Sequence, residues 1–471
     1  MEIDVLVAEI GSTTTVVNGF RLGSEPSFLG QGASPTTASQ GDVTVGLSAA
    51  IDDLAAKMAD QGGAGVIPAG ISGGQYDAGS GRPKIEYGRM MAASSAAGGL
   101  SMSVHGLVYD MTVRAAREAA LGAGAVVRMV TAGDLSDRDL AELKKVNPKI
   151  VMLAGGVDYG EKDTAIRNAG RLAECGLRVP VVYAGNIVAQ GAVREILLGA
   201  GLKVYIVDNV YPKVDELVVE PARKVIQEVF EEHITGAPGM DRIREIVDGP
   251  IMPTPGAVME SCKMLYPVFG DLVAVDVGGA TTDVHSVAKG SPEIQSILEN
   301  PEPLAKRTVE GDLGIHVNAA NIYRQVKDRA AHDLGFDPED ILANLQVIPV
   351  DQRQIRMVVY FSRYAASTAF SRHAGRIRHL YGPSGRQTVS SGKDLTAVKT
   401  VIGTGGPLSR LPGGEDTLRD LIGQGPGREL YPKDAKILLD AMYIMASCGV
   451  LSREYPEEAR TILLRSLGAD A

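Results

Sequence analysis

Residues 272–287 read LVAVDVGGATTDVHSV, and this stretch decides the fold. Apolar residues lead into Asp276, two glycines, two threonines and a second aspartate, after which hydrophobic alternation resumes. The pattern predicts a buried strand, a glycine turn and a return strand. Backbone N–H groups bared by such a turn, with hydroxyls beside them, form a nest for anionic oxygens. The carboxylate at the end of the first strand can hold Mg²⁺ through water or orient an attacking water.

The N-terminus repeats this hairpin. Residues 6–17, LVAEIGSTTTVV, align with residues 273–284, VAVDVGGATTDV, so that Glu9 takes the place of Asp276. One glycine turn is weak evidence for a ligand site, because such turns also end ordinary strands. Two of them, each opening one half of the chain, indicate a duplication. We therefore predict two α/β halves that face each other and hold a polyphosphate between their hairpins.

A third glycine-rich segment follows in the second half. Residues 400–411 read TVIGTGGPLSRL, in which an apolar strand runs into Gly403, Gly405 and Gly406 and a helix is expected to begin near Pro407. Glycines at such a strand end let a flat base or a phosphate approach the backbone. Downstream of a phosphate hairpin, this segment is where we expect the adenosine end of a nucleotide.

Between the two hairpins the sequence changes character. From Val126 to Val210, short apolar runs alternate with amphipathic helical patterns, which predicts a doubly wound parallel α/β module inserted in the first half. A segment rich in proline and glycine at 236–256 marks a boundary. The predicted organisation is a first half at 1–125, the module at 126–210 as a site for partner docking, a helix and linker at 211–256, and a second half at 257–471.

Composition limits the function classes. The chain has 471 residues and a net charge of −10, which argues against nucleic acid as the main partner. No apolar run approaches the roughly 20 residues that a membrane span needs. The three cysteines are far apart, which argues against a disulfide framework or an iron–sulfur cluster. The acidic N-terminus is no signal peptide, and we expect a soluble cytoplasmic protein.

The motifs EIGSTTT, DVGGATTD and VIGTGGPL, in this order, resemble the two phosphate motifs and the adenosine motif of the actin/Hsp70/sugar-kinase superfamily of ATPases. The resemblance implies two RNase H-like halves around a nucleotide cleft, with ATP and Mg²⁺ as ligands. Three further segments, LAGGVD, DNVYP and TVEGDLGIHVNA, narrow this resemblance to one family. Over nearly the whole chain, the sequence resembles the MutL/GlmL family of glutamate-mutase accessory proteins, which is itself similar to the ATPase side of hydantoinase systems.

The resemblance also implies a role for each motif residue. Asp276 is expected near Mg²⁺ and the attacking water, and Glu9 near the metal. Gly403, Gly405 and Gly406 are expected to line the adenosine site. Glu310 either faces the nucleotide or forms a helix cap or turn, and both interpretations stay open. The residues expected to hold the phosphates are Gly11, Ser12, Thr13 and Thr14 from one side and Gly278, Gly279, Thr281 and Thr282 from the other.

Two departures from the superfamily pattern affect the expected rate. The superfamily usually has Asp where this chain has Glu9, whose side chain is one methylene longer and would shift the metal. Val16 and Val17 stand where many relatives carry a polar residue. Both departures favour slow, switch-like hydrolysis over fast phosphoryl transfer.

The function implied by the resemblance is an ATP-dependent chaperone, or reactivating factor, for an adenosylcobalamin-dependent mutase. Hydrolysis would drive the exchange of damaged cobalamin for intact cofactor. The alternative is an ATP-dependent subunit, kinase-like or hydantoinase-type, that activates a small molecule; a kinase needs a second carboxylate base, for which the sequence offers no convincing candidate. A filament-forming scaffold is a third interpretation. The expected partner is a mutase subunit, and homo-oligomerisation stays open.

Overall fold

The computed structural model describes residues 3–38, 41–60, 75–76, 85–96, 100–233, 240–382, 385–423, 425 and 428–469. Its strands are β1 (Ile3–Ile10), β2 (Thr14–Arg21), β3 (Ser27–Pro35), β4 (Gln75–Tyr76), β5 (Ile85–Ser94), β6 (Ser101–Gly106), β7 (Val126–Ala132), β8 (Ile150–Leu153), β9 (Val181–Tyr183), β10 (Val204–Ile206), β11 (Met252–Pro253), β12 (Leu272–Val277), β13 (Thr282–Val287), β14 (Ala305–Glu310), β15 (Arg376–Gly382), β16 (Gly385–Ser391), β17 (Thr400–Thr404) and β18 (Lys436–Leu439). Its α-helices are α1 (Val43–Asp60), α2 (Arg114–Gly122), α3 (Asp137–Val146), α4 (Asp163–Glu174), α5 (Gln190–Gly199), α6 (Glu220–His233), α7 (Met240–Ile246), α8 (Thr254–Phe269), α9 (Pro292–Gln295), α10 (Ala319–Leu334), α11 (Glu339–Leu342), α12 (Gln352–His373), α13 (Gly406–Arg410), α14 (Gly414–Arg419), α15 (Met445–Leu451) and α16 (Pro456–Ser466).

The N-terminal hairpin lies in a mixed sheet of order β3-β2-β1-β5-β11, with the short β4 beside β5. β1 and β2 are antiparallel, as are β2 and β3, whereas β5 runs parallel to both β1 and β11. β1 is buried along nearly its whole length. Such burial on both faces is what the continuous apolar run IDVLVAEI predicts.

The second hairpin lies in a sheet of order β14-β13-β12-β17-β18. β12 pairs antiparallel with β13 and parallel with β17, which in turn runs parallel to β18. Both sheets therefore place the first hairpin strand in the centre, the return strands on one side and two parallel strands on the other. This shared order confirms the predicted pair of RNase H-like halves.

Two helices connect these halves. α8 leads from β11 into β12, while α15 packs on α8 and also contacts β1 and β5 of the first sheet. The two helices cross closely, because a Cβ on Gly449 would lie 1.8 Å from the carbonyl oxygen of Ala257. The buried Ser261 hydroxyl donates to the Met445 carbonyl at 2.6 Å. Both contacts hold α15 on α8, and because α15 also packs on β1 and β5, the two helices join the halves.

A separate sheet has the order β7-β6-β8-β9-β10, and all of its strands are parallel. Numbered along the chain this is the order 2-1-3-4-5 of doubly wound sheets, which confirms the predicted parallel module. The sequence predicts that the module begins at Val126, but β6, which falls in the predicted first half (1–125), lies inside the same sheet between β7 and β8. Hydrophobic periodicity identifies a strand without showing which sheet it joins.

The chain forms two compact units. One comprises Met1–Ala97, Thr235–Ser296 and Arg307–Ala471, and the other comprises Gly98–Ile234 and Ile297–Lys306. The second unit thus includes a short segment from the region predicted as the second half (257–471). This segment is attached by ion pairs of Glu302 with Arg114 and, at 3.7 Å, of Lys306 with Glu118. Part of the predicted linker, 234–239, lies outside the described residues.

All three cysteines, Cys175, Cys262 and Cys448, are free and buried. Among the helices of the described residues, none is both long enough and apolar enough to cross a membrane.

Candidate functional site

The two hairpin turns have the same geometry. The Gly11 N–H donates to the Thr14 carbonyl at 3.0 Å, and the Gly278 N–H donates to the Thr281 carbonyl at 2.9 Å. A Cβ on Gly11 would lie 2.6 Å from that carbonyl oxygen, and one on Gly278 would lie 2.9 Å from its equivalent. Each turn therefore requires glycine for the same steric reason. The amides of both glycines are used inside their own turns, so free donors must come from the residues that follow.

The two turns face each other in direct contact. A Cβ on Gly279 would come within 2.4 Å of the Thr13 hydroxyl oxygen. The structure thus brings together the two segments that the sequence predicts to hold a polyphosphate. In the first turn, the Ser12 hydroxyl donates to the Ser95 carbonyl at 3.0 Å and so connects the turn to the end of β5.

The threonine hydroxyls of the second turn bind protein groups. Thr281 Oγ1 donates to Asp283 Oδ2 at 2.9 Å, and Asp283 forms a buried ion pair with Arg307 at 3.0 Å. The fully buried Thr282 donates to the Leu313 carbonyl at 2.8 Å. Thr282 therefore stabilises the loop after β14 with its hydroxyl, and only its backbone remains for the predicted phosphate contact.

Asp276 is half-buried at the end of β12. A Cβ on Gly405 would lie 2.7 Å from Asp276 Oδ1, which puts the predicted adenosine motif beside the carboxylate. Burial raises the pKa of Asp276 to about 7, with Asp283 adding to the shift and Arg307 opposing it. The carboxylate forms no hydrogen bond or ion pair within the described residues. It is therefore available to a water or a hydrated cation.

Glu9, in the equivalent position of β1, is buried and already bonded. The Ser447 hydroxyl donates to Glu9 Oε1 at 2.5 Å, and the Asn18 amide donates to the same oxygen at 3.3 Å. Burial raises the pKa of Glu9 to about 7, the Ser447 hydrogen bond opposes this shift, and the charges of Asp440 and Asp276 add to it. Ser447 lies on α15, so Glu9 also joins the first hairpin to the end of the second half.

Asn18 extends this connection toward the adenosine motif. Its side-chain oxygen accepts a bond from Gln31 at 2.7 Å, and Gln31 in turn donates to the Tyr443 carbonyl at 3.1 Å and accepts from Arg410 on α13. Tyr443 has a positive φ of 53°, and burial, with the charges of Glu9 and two further carboxylates, raises its pKa. The charges of all three carboxylates therefore act on this one tyrosine.

Sequence reasoning did not identify Asn18, Ser447, Tyr443 or Asp440. Asp440 accepts bonds from the Met445 N–H at 2.8 Å and from Thr404 Oγ1 at 3.0 Å, so it stabilises the start of α15. It follows directly after the parallel strand β18, and a carboxylate at the carboxyl end of such a strand is the signal that could have identified it. Ser447 carries no such signal, because its partner is 438 residues away in sequence.

The three glycines of the adenosine motif have different roles. Gly403 lies in β17, where a Cβ would meet the side chains of Leu418 and Leu439, so this glycine serves core packing. Gly405 has a φ of +90° and approaches the Val277 carbonyl, which no other residue type allows without strain. A Cβ on Gly406 would meet nothing within 4 Å. Only Gly405 and Gly406 therefore adjoin open space or Asp276.

Glu310 lies at the end of β14 and forms an ion pair with Arg372 at 2.5 Å, which also binds Asp312 at 2.9 Å. Burial raises the pKa of Glu310, and Arg372 opposes the shift. The loop that follows covers the second hairpin, since the Ile315 N–H donates to the Gly278 carbonyl at 3.2 Å. Glu310 is thus near the second hairpin, but its carboxylate is paired with an arginine.

The donor set suits a cation that is held only partly by protein. In the part of the chain that the structure describes, no group of three or more His, Cys, Asp or Glu side chains has the geometry of a metal site. Mg²⁺ needs fewer protein ligands than such a group supplies, because it binds one or two carboxylates and completes its coordination shell with water and phosphate oxygens. The raised pKa values of Glu9 and Asp276 reflect buried carboxylates whose charge is not balanced, and a divalent cation would balance it.

Comparisons with known proteins identify relatives over nearly the whole chain. The family model described as MutL protein matches residues 5–467. A protein of Clostridium tetanomorphum named Protein MutL is 38% identical over 402 residues, which cover 82% of this chain and 87% of that protein.

Solved structures align less well. A nucleotide-free acetone carboxylase aligns with 96% of this chain and 70% of its own, at 13% identity and a TM-score of 0.42. A Ppx/GppA phosphatase of Aquifex aeolicus aligns with 86% of this chain and 68% of its own, at 9% identity and a TM-score of 0.23. Scores this low support no conclusion about fold or function.

Proposed function

The chain belongs to the MutL protein family, and from this premise we propose that it binds ATP with Mg²⁺ between its two hairpins and hydrolyses the ATP slowly. The observation that carries the proposal is the repeated glycine turn beside a carboxylate that forms no hydrogen bond or ion pair with any described residue. Both turns form the same hydrogen bond, they touch each other through Thr13 and Gly279, and Asp276 lies next to them.

Each residue has a definite task in this proposal. The N–H groups that follow Gly11 and Gly278 would donate to phosphate oxygens, because the amides of both glycines are already bonded. Asp276 would orient the attacking water, and Glu9 would bind the metal through its hydration shell. Bound Mg²⁺ would neutralise charge that develops on the phosphate oxygens. Gly405 and Gly406 would form the wall against which the adenosine end rests.

The surroundings of Glu9 support slow hydrolysis. Both hydrogen bonds to its carboxylate, from Ser447 and Asn18, end on Oε1 and hold the side chain in one orientation. A hydrated metal would meet the other oxygen, Oε2. The side chain is one methylene longer than the aspartate of the superfamily pattern, so the metal would be shifted, which would suit a switch better than a fast enzyme.

The client we propose is an adenosylcobalamin-dependent mutase, whose damaged cobalamin is exchanged for intact cofactor when ATP is hydrolysed. The support is the resemblance of LAGGVD, DNVYP and TVEGDLGIHVNA to glutamate-mutase accessory proteins. The module around residues 126–210 would dock the mutase. Three free, buried cysteines fit the reducing cytoplasm in which such an enzyme works.

The test uses a purified mutase loaded with hydroxocobalamin as the inactive cofactor. The protein is added with ATP, with a non-hydrolysable ATP analogue or with no nucleotide, and free cobalamin is measured by absorbance after gel filtration. We expect release with ATP only. No release under any condition, combined with transfer of phosphate to a small acceptor, would contradict the chaperone function and support a small-molecule-activating subunit instead.

A further inference from the structure

One edge of the parallel sheet exposes large apolar side chains. The loops that follow β6, β8, β9 and β10 all leave the carboxyl ends of their strands, so they lie side by side in the order of the sheet. Parallel α/β sheets bind their ligands and partners at this edge. Tyr159 is 83% exposed and Val214 is 65% exposed. The set that we call the apolar edge consists of Tyr109, Tyr159, Ile187, Val188 and Val214.

Buried asparagines hold these loops in fixed positions. Asn186 donates to the carbonyls of Gly160 and Glu161, both at 3.1 Å, and so ties the loop after β9 to the loop after β8. Asn209, after β10, donates to Asp158 at 3.0 Å. Asp158 also accepts the Ile187 N–H at 2.9 Å. Three loops therefore share one hydrogen-bond network, and the apolar side chains need little ordering on binding.

The backbone at Tyr159 is strained in a way that this network maintains. Tyr159 has a φ of 62°, in the left-handed region that non-glycine residues rarely adopt. Its neighbour Asp158 is fixed by an N–H bond to the Pro212 carbonyl at 2.9 Å. Strained residues that surrounding structure holds in place cluster at binding sites. Here the result is a tyrosine ring held in solvent on a rigid loop.

The same edge is acidic. The segments at 107–113, 133–136, 154–162, 184–189 and 207–219, which include short helical turns at Tyr109–Val113 and Ile187–Ala189, carry far more carboxylates than basic groups. The acidic residues are Asp110, Asp134, Asp158, Glu161, Asp208, Asp215 and Glu216, and the basic residues are Lys162 and Lys213. Such a border repels nucleic acid and anionic lipid, and it complements a protein surface rich in lysine and arginine.

We propose that the apolar edge is a docking surface for a folded protein that presents an apolar patch bordered by lysine and arginine. That this partner is the mutase rests on the proposed function above. Rigid, exposed tyrosines at the centre of a patch are the side chains that most often dominate binding energy. The carboxylates around them would steer the partner and make association sensitive to salt.

The experiment measures binding of the hydroxocobalamin-loaded mutase to immobilised full-length protein by biolayer interferometry, with ATP present. The edge variants are Tyr159→Ala and Val188→Ser. Their matched controls are Tyr381→Ala, a tyrosine of similar exposure (78%) on β15, and Leu198→Ser, an exposed leucine on α5 of the same unit. Thermal unfolding of each variant verifies that it is folded.

We expect Tyr159→Ala to weaken binding by about 30-fold, the loss typical of a central aromatic contact, whereas both controls bind as the unchanged protein does. Raising the salt should weaken binding of the unchanged protein. If the unchanged protein binds the mutase and all four variants bind equally well, the docking surface is wrong while the proposed function stands. If the unchanged protein does not bind the mutase at all, both the docking surface and the proposed function are contradicted. If an edge variant instead converts a dimer to a monomer in sedimentation, the edge pairs two copies of this chain and the proposal is overturned.

Discussion

The two hairpins have the same backbone and different surroundings. Both turns form the glycine N–H to threonine carbonyl bond, at 3.0 and 2.9 Å, and both strands end in a carboxylate whose pKa burial raises to about 7. Asp276 has no hydrogen-bond partner among the described residues, whereas Glu9 is bonded to Ser447 and Asn18. The turn is thus the same in both hairpins, and the chemistry of each carboxylate depends on what packs against it.

The substitution with the largest expected effect tests whether the carboxylate of Asp276 orients the attacking water. Asp276→Asn removes a base but keeps the shape of the side chain. General-base catalysis contributes about 10²–10⁴-fold, so we expect hydrolysis to fall by that factor while ATP still binds. Phosphate release measures the rate, and binding of a fluorescent ATP analogue measures affinity. Asp434→Asn, at an exposed position of the same half, serves as the control. Full retained hydrolysis in Asp276→Asn would show that the two carboxylates do not divide the work as proposed.

The second prediction concerns the pH dependence that buried carboxylates impose on stability. Burial raises the pKa of Glu9 from its ordinary value of 4.5 to about 7 in the folded protein, so the folded state binds the proton more tightly. Its contribution to the free energy of unfolding is therefore complete below about pH 4.5 and is lost as the pH rises through 7. With about 1.4 kcal/mol per pKa unit, the loss is on the order of 3 kcal/mol.

Glu9→Gln should remove this contribution. We expect the unfolding free energy of the unchanged protein, relative to Glu9→Gln, to decrease between about pH 5 and pH 8 in urea titrations. Glu195→Gln, at an exposed site on α5, should show no such difference. Saturating Mg²⁺ and ATP should flatten the dependence if the cation balances the charge. An unchanged pH profile in Glu9→Gln would mean that Glu9 is not the buried acid that the structure indicates.

The third prediction tests whether the two turns are sterically equivalent. Gly11→Ala places a methyl group 2.6 Å from the Thr14 carbonyl oxygen, and Gly278→Ala places one 2.9 Å from the Thr281 carbonyl oxygen. Both are backbone contacts that cannot move aside cheaply, so each should cost about 1–3 kcal/mol of stability and weaken nucleotide binding. The shorter contact makes Gly11→Ala the more damaging. Gly170→Ala, in α4 with nothing within 4 Å, should instead stabilise. Equal stability of Gly11→Ala and the unchanged protein would remove the steric basis of the comparison.

Local repetition made much of the fold predictable. The paired strands, the glycine turns and the two halves follow from the alignment of residues 6–17 with 273–284. The predictions that failed depend on information that the local sequence pattern does not contain. Gly403 resembles a ligand-binding glycine in sequence, yet Leu418 and Leu439 pack against it. Likewise β6 reads as a strand without showing which sheet it joins.

Side-chain partners were the least predictable part of the site. Thr282 aligns with a phosphate-binding position but donates to the Leu313 carbonyl. Ser447 appears in the apolar run MASCGVL as an unremarkable small residue of a helix. Ser447 has a role in the site only because α15 packs against the first sheet and brings the Ser447 hydroxyl to Glu9. Such contacts result from tertiary packing, which hydrophobic periodicity and secondary-structure propensity do not predict.

The substitution with the smallest expected effect tests the comparison of the two hairpins most directly, because it makes the surroundings of Glu9 more like those of Asp276. Ser447→Ala removes the main hydrogen bond to Glu9 and also the bond that the Asn18 amide donates to the Ser447 hydroxyl at 2.8 Å, and it leaves Glu9 only the longer bond from Asn18. The Ser447 bond lowers the pKa of Glu9, so its removal should raise that pKa further. The loss of stability should be about 1–2 kcal/mol above pH 7, where the carboxylate is charged, and smaller near pH 5, where it is protonated.

Ser261→Ala provides the control, since this equally buried serine on α8 donates to the Met445 carbonyl and loses a bond that no titration affects. Its cost should be the same at both pH values in urea titrations. If Ser447→Ala also costs the same at both, Ser447 acts only through packing and its bond with Asn18, and it does not set the charge of Glu9. If its cost grows with pH as expected, the bond to Ser447 is what distinguishes the first carboxylate from the second, and freeing Glu9 should bring its behaviour closer to that of Asp276.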